Sequence, residues 1–153
     1  MPTKKTLPLA SDLYLDNQLC FALYATSLAM TKTYRPLLAP LGLTYPQFVV
    51  LMALWEHRAL TAGALSQAVA LDSGTLVPLL RKLVSRELVL RQRSEDDERS
   101  VVITLTPAGR ALQRRAHAIR AQLACSTQCT AAQLAALTRK LQSLRRALDS
   151  SSR

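Results

Sequence analysis

The chain has 153 residues, 49% of them hydrophobic, which is enough for one domain with a packed core and too apolar for a disordered chain. Its formal charge of +10, from 20 Lys+Arg against 10 Asp+Glu, points to a polyanionic partner: nucleic acid first, an anionic membrane surface second. The sequence has no run of about 18 apolar residues that would predict a membrane span. Its start has a basic pair but no apolar h-region, so the expected compartment is the cytoplasm, where thiols stay reduced. Three cysteines cannot all close into intrachain disulfides; in that compartment they are inert, metal-binding or redox-active.

Residues 1–11 read as a tail with two prolines, and Asp12 or Asp16 is the candidate cap of a first helix. Leu19, Leu23, Thr26 and Met30 then recur at helical spacing. Pro36 predicts a kink or break in that helix. Leu41-Gly42-Leu43 reads as a turn, and Thr44 as the cap of a second helix from Pro46 to Glu56, apolar nearly all round and so central. Thr61 caps a short helix holding Leu65 and Val69. Asp72 caps the next, whose stripe is Leu76, Leu79, Leu80, Leu83 and Val84. The pattern then changes period. Residues 88–93 and 101–105 read as two strands around the polar turn 94–100. Thr106, with Pro107 behind it, opens a long helix, and Thr130-Ala131-Ala132-Gln133 is a capping box for a last one carrying Leu134, Leu137, Leu141, Leu144 and Leu148.

Two short capped helices followed by a basic hairpin predict a winged helix-turn-helix. The expected fold is mainly α with a small β-hairpin wing, as one domain over 1–153, its DNA-reading part at 46–105. The helix from Asp72 buries its leucines and turns Ser73, Thr75, Arg81, Lys82 and Arg86 outward. Small hydroxyl side chains at its start let the backbone approach base edges, and the cations farther along face phosphate. Pro78 removes a helical hydrogen bond; a kink that follows the groove and a kink demanded by packing both explain it. The hairpin carries Arg91, Arg93 and Arg99, yet between Arg91 and Arg99 three positive charges face four negative ones. That is not a plain phosphate clamp. Asp97, two residues before Arg99, is placed to brace the guanidinium for a minor groove; a solvated turn of weak charge pairs is the alternative.

Asp97-Glu98-Arg99 followed by Val102-Ile103-Thr104-Leu105-Thr106-Pro107-Ala108-Gly109 resembles the wing and exit of the MarR family of repressors, over about residues 15–148. The resemblance implies a homodimer interlocked by its terminal helices, here 12–40 and 107–148, that reads a pseudo-palindromic operator in double-stranded DNA.

Cys20 lies in an apolar stretch, where most cysteines are inert. Tyr24 shares its helix face, Tyr34 and Tyr45 end neighbouring helices, and phenols can hydrogen-bond a thiolate; all three could equally be interface residues. Within the MarR family, Leu15-Asp16-Asn17-Gln18-Leu19-Cys20-Phe21-Ala22-Leu23-Tyr24, Tyr34-Arg35-Pro36-Leu37, Leu43-Thr44-Tyr45-Pro46-Gln47 and Asp72-Ser73-Gly74-Thr75-Leu76 are similar to the organic hydroperoxide resistance regulators. That likeness implies that Cys20 is peroxide-reactive, that Tyr34 and Tyr45 hydrogen-bond it, and that Cys125 is a resolving cysteine, with Cys129 as a rival. It implies a repressor, not an enzyme, which an organic hydroperoxide induces through an intersubunit Cys20–Cys125 disulfide. No cofactor, metal or membrane partner is expected; His57 and His117 stand apart from any ligand cluster. The competing readings are a MarR-type repressor that binds a small aromatic ligand, a thiol peroxidase, and a sequence-neutral architectural DNA binder.

Overall fold

The computed structural model describes residues 9–152, so most of the expected N-terminal tail lies outside the described residues. Six α-helices and three strands follow in the order α1 (Leu19–Leu38), α2 (Tyr45–His57), β1 (Ala59–Thr61), α3 (Ala62–Val69), α4 (Ser73–Ser85), β2 (Val89–Arg93), β3 (Val101–Leu105), α5 (Pro107–Ser126) and α6 (Ala131–Ser151). This is a mainly helical winged helix-turn-helix.

Neither Asp12 nor Asp16 caps α1. Both sit in short 3-10 segments, Leu9–Leu13 and Leu15–Asn17, and α1 begins after Gln18 without a side-chain cap. The cause is competition by amide side chains. Asn17 donates to the Ser11 carbonyl, and Gln18 donates to the Asp12 and Tyr14 carbonyls, which curls the segment before the helix can start. The predicted break at Pro36 does not occur either: α1 runs through it to Leu38 and tightens into a 3-10 turn over Ala39–Leu41. Pro36 costs the helix the one hydrogen bond to the carbonyl four residues back, and so near the end little helix follows it to be displaced. The change of direction, 73°, comes later, before α2. Gly42 makes it with φ +63°, which glycine adopts without strain.

Five helix starts hold as their sequence signals suggest. Thr44, Thr61, Asp72, Thr106 and Thr130 each accept the N–H three residues on, and Thr44 and Thr130 form full capping boxes with Gln47 and Gln133. The core gathers around α2. Val50, Leu51 and Leu54 pack with Leu38, Leu65, Leu76, Leu80, Leu83, Val89 and Ile103, all essentially sealed from solvent. The hairpin has a third strand that was not anticipated. β1 pairs with β3 in the order β1-β3-β2, antiparallel throughout. Three residues, Ala59-Leu60-Thr61, are too short to show an alternation.

The terminal helices differ from this core. On α1, Leu19, Leu23, Tyr24, Leu28 and Met30 are exposed; on α6, Leu137, Leu141 and Leu148 are exposed, and α6 buries no residue at all.

Candidate DNA interface and redox site

Asp72 starts α4. Its carboxylate accepts the Thr75 backbone N–H at 2.8 Å and the Thr75 hydroxyl at 3.1 Å. These bonds hold its pKa below the usual value, the backbone bond being the larger cause. With Leu76, Leu80 and Leu83 buried, Ser73, Thr75, Arg81 and Lys82 are left exposed. Pro78 sits inside an unbroken α4 with its ring exposed, so the core does not require it.

Arg86, also exposed, has a bond pair that the sequence did not announce. Its guanidinium forks onto two consecutive carbonyls, Gly42 at 2.5 Å and Leu41 at 2.8 Å. It ties the end of α4 to the turn before α2, which commits two of its five N–H donors to the protein. Gly42 also leaves room for it, since a Cβ there would stand 3.0 Å from a guanidinium nitrogen.

On the wing, Arg91 and Arg93 are exposed on β2, opposite Ile103 and Val101. Asp97 does not brace the Arg99 guanidinium. One carboxylate oxygen accepts the Arg99 backbone N–H and the other the Ser100 hydroxyl, each at 3.0 Å. The local reason is an Asx turn: a carboxylate reaches the amide two residues on more readily than a long flexible guanidinium. The one close contact between a basic and an acidic side chain among the described residues is His57 Nε2 with Glu56, at 3.7 Å.

Tyr34 and Tyr45 meet, with ring centroids 4.7 Å apart, and Phe48 backs Tyr34 at 5.8 Å. Burial raises both phenol pKa values; for Tyr34 the neighbouring Tyr45 adds to the rise and Arg120 opposes it. Both hydroxyls therefore stay protonated and able to donate. Cys20, however, lies fourteen residues from Tyr34 on the same helix, about 21 Å at 1.5 Å per residue. Within one chain, then, Cys20 stands far from Tyr34, and only Tyr24, one turn on, is its neighbour along α1. Cys20, Cys125 and Cys129 are all free and exposed, the last two flanking the α5–α6 turn.

Between α1, α2 and α5 lies a cavity of about 330 Å³ walled by Tyr34, Phe48, Met52, Trp55 and Ala116, with Arg120 at its edge. The Trp55 indole donates to the Gly109 carbonyl at 3.0 Å, which fixes one wall. Sequence reasoning missed Arg120 and this cavity. The helical spacing of Phe48, Met52 and Trp55 was visible but read only as core. Among the described residues no group of three His, Cys, Asp or Glu side chains converges to hold a metal, and no single helix is long and apolar enough to cross a membrane.

Residues 32–116 match the family described as transcriptional regulator SarA/Rot. The chain is 52% identical over 102 residues to the organic hydroperoxide resistance transcriptional regulator of Bacillus subtilis, covering 67% of this chain and 69% of that protein. Among solved structures it is similar to AbfR of Staphylococcus epidermidis. The reduced, DNA-bound form aligns with a TM-score of 0.70 at 31% identity, covering 88% of this chain and 94% of that one. The disulfide form gives 0.61 at 34%, covering 85% and 91%. Reduced MarR of Escherichia coli gives 0.71 at 27%, covering 83% and 96%.

Proposed function

We propose, from the premise that this chain belongs to the MarR-type winged-helix transcriptional regulators, that it is a cytoplasmic, homodimeric repressor which organic hydroperoxides release from operator DNA through Cys20. The observation that carries this reading is the position of Cys20. It is exposed among exposed apolar residues on α1, about 21 Å along the helix from a tyrosine pair poised to donate. A second copy supplies what one chain lacks. If α1 and α6 interlock with the same helices of a partner, their apolar faces are buried, and the partner subunit's Cys20 can reach Tyr34 and Tyr45. Helices 12–40 and 107–148 are then the dimer interface, and 46–105 the DNA-reading part.

Two phenol donors favour the thiolate over the thiol. The thiolate attacks the peroxide O–O bond; the sulfur becomes a sulfenic acid and the peroxide leaves as an alcohol. Cys125 of the partner then condenses with the sulfenic acid, forming a disulfide and releasing water. The bond joins α1 of one subunit to the end of α5 of the other. Any helix movement needed to close it displaces the reading helices, whose spacing must match the operator. The likeness to regulators named for organic hydroperoxide resistance, and to AbfR solved with a disulfide, supports this sequence of events.

The test is non-reducing electrophoresis before and after cumene hydroperoxide. The wild type is expected to give a crosslinked dimer, and Cys20→Ser and Cys125→Ser none. Cys129→Ser is expected to behave as wild type; loss of the crosslink there, with retention in Cys125→Ser, would transfer the resolving role to Cys129. The cavity beside Tyr34 favours one second reading, a repressor that binds a small aromatic ligand. A Cys20→Ser protein that still leaves DNA on peroxide addition would establish it and end the thiol mechanism.

A further inference from the structure

The Asp72 carboxylate caps α4 and also fixes a proton. One oxygen takes the Thr75 N–H and the other the Thr75 hydroxyl. A carboxylate can only accept, so the hydroxyl must be the donor. Its pKa lies below the usual value, so Asp72 is ionised wherever the protein would bind DNA. The Thr75 proton is therefore committed, and what the exposed hydroxyl offers to a ligand is its remaining acceptor lone pair. Gly74 leaves room for the arrangement: a Cβ there would stand 3.1 Å from the Asp72 oxygen that accepts the backbone bond, so the carboxylate would have to give by a few tenths of an ångström.

We propose that Thr75 is a specificity-determining residue that accepts a hydrogen bond from an amino-bearing base, adenine or cytosine, on the strand it faces. The inference rests on the reading of α4 as the helix that enters the major groove. There adenine N6 and cytosine N4 present donors, while guanine O6 and N7 and thymine O4 present acceptors. An ordinary threonine hydroxyl rotates to serve either kind. Held by Asp72, this one sets acceptor against acceptor when it meets a keto base. Ser73, whose hydroxyl makes no hydrogen bond among the described residues, keeps both options and carries no such preference.

The experiment is selection from a randomised duplex library with the full-length reduced protein at one fixed salt concentration. The wild type is run beside Thr75→Val, Thr75→Ser and Asp72→Asn. The position that Thr75 reads is the one whose preference Thr75→Val relaxes. There the wild type is expected to favour adenine or cytosine over guanine or thymine on one strand by roughly tenfold, in line with the cost of one mismatched contact. Thr75→Ser keeps the hydroxyl and the preference. Asn is as good a helix cap as Asp, but its amide donates to the Thr75 oxygen and frees the hydroxyl proton. Asp72→Asn is therefore expected to bring the ratio to near one. A keto base at that position in the wild type overturns the proposal. So does an unchanged ratio in Asp72→Asn, or a Thr75→Val protein with unaltered preferences. A wild type that enriches no sequence at all fails at the earlier step, the reading of α4 itself.

Discussion

The Asp97 carboxylate accepts the backbone N–H of Arg99 at 3.0 Å, not its guanidinium. Its other oxygen takes the Ser100 hydroxyl, and Ser94 and Ser100 close the turn through their backbones at 2.8 Å. Asp97 thus shapes the wing tip and leaves the Arg99 guanidinium free to reach out. Two effects oppose each other when Asp97 is removed. Losing a negative charge beside DNA should tighten binding, but an exposed charge contributes only about 0–1 kcal/mol. Losing the turn that presents Arg99 should weaken it. Asp97→Ala is expected to weaken operator binding severalfold, although the net charge rises by one. Arg99→Ala should weaken it further without lowering the melting temperature. Fluorescence anisotropy at one salt concentration decides the sign; tighter binding by Asp97→Ala would mean the turn matters only through its charge.

Arg86 and Arg81 lie near one end of the same helix but should fail differently. Arg86 hydrogen-bonds Leu41 and Gly42, so Arg86→Met is expected to cost about 1–3 kcal/mol of stability. It should leave the slope of log K against log salt unchanged. Arg81 is exposed and spends no donor on the protein among the described residues. Arg81→Ala should leave the melting temperature alone and make the salt slope shallower by about 0.9, the value of one phosphate contact. The reverse pattern would return Arg86 to the DNA surface.

What was legible in the sequence follows from the range of each signal. The caps at Thr44, Thr61, Asp72, Thr106 and Thr130 are local, three-residue devices, and the hydrophobic period changes sharply at Val89. Helix starts and the two hairpin strands could be read directly for that reason. β1 was invisible because its three residues acquire strand character only by pairing with β3, more than forty positions on. The tie that Arg86 makes was not legible because the carbonyls it bonds lie 44 and 45 positions away. The contact of the Tyr34 and Tyr45 rings needed the fold, whereas the separation of Cys20 from Tyr34 follows from the helical stretch between them, which lies wholly before Pro36.

Gly109 is fixed by sterics. A Cβ there would sit 2.0 Å from the Leu88 carbonyl oxygen, a backbone atom that cannot swing aside. That approach lets the start of α5 lie against the α4–β2 junction, where the Thr106 hydroxyl donates to the Glu87 carbonyl at 2.6 Å and accepts the Gly109 N–H. Gly109→Ala is expected to destabilise the fold by roughly 3 kcal/mol, through backbone displacement. Gly63 is the control. It has open space around its Cβ position in α3, so Gly63→Ala should be neutral or stabilising by up to about 1 kcal/mol. Equal urea midpoints for the two variants would contradict the close approach at Gly109.

The tyrosine pair makes a prediction at each end of the pH scale that matters to it. Burial raises the folded-state pKa of Tyr34 and Tyr45 above the ordinary value of 10.0. A group that binds its proton more tightly when folded contributes stability that is complete below the unfolded pKa and is lost as pH rises through the folded one. The melting temperature should therefore hold up to about pH 10 and fall above it, and Tyr45→Phe should soften that fall. At neutral pH both phenols remain donors, and on the proposed reading Tyr45→Phe removes one of the two hydrogen bonds offered to the Cys20 thiolate of a second copy. A hydrogen bond to a charged group is worth about 1.5–3 kcal/mol, which sets an expected slowing of Cys20 oxidation of about tenfold or more. Trapping of the sulfenic acid over time, in a Cys125→Ser background so that the intermediate persists, measures the rate. An unchanged rate would remove Tyr45 from the thiolate site and leave it as a wall of the cavity beside Tyr34.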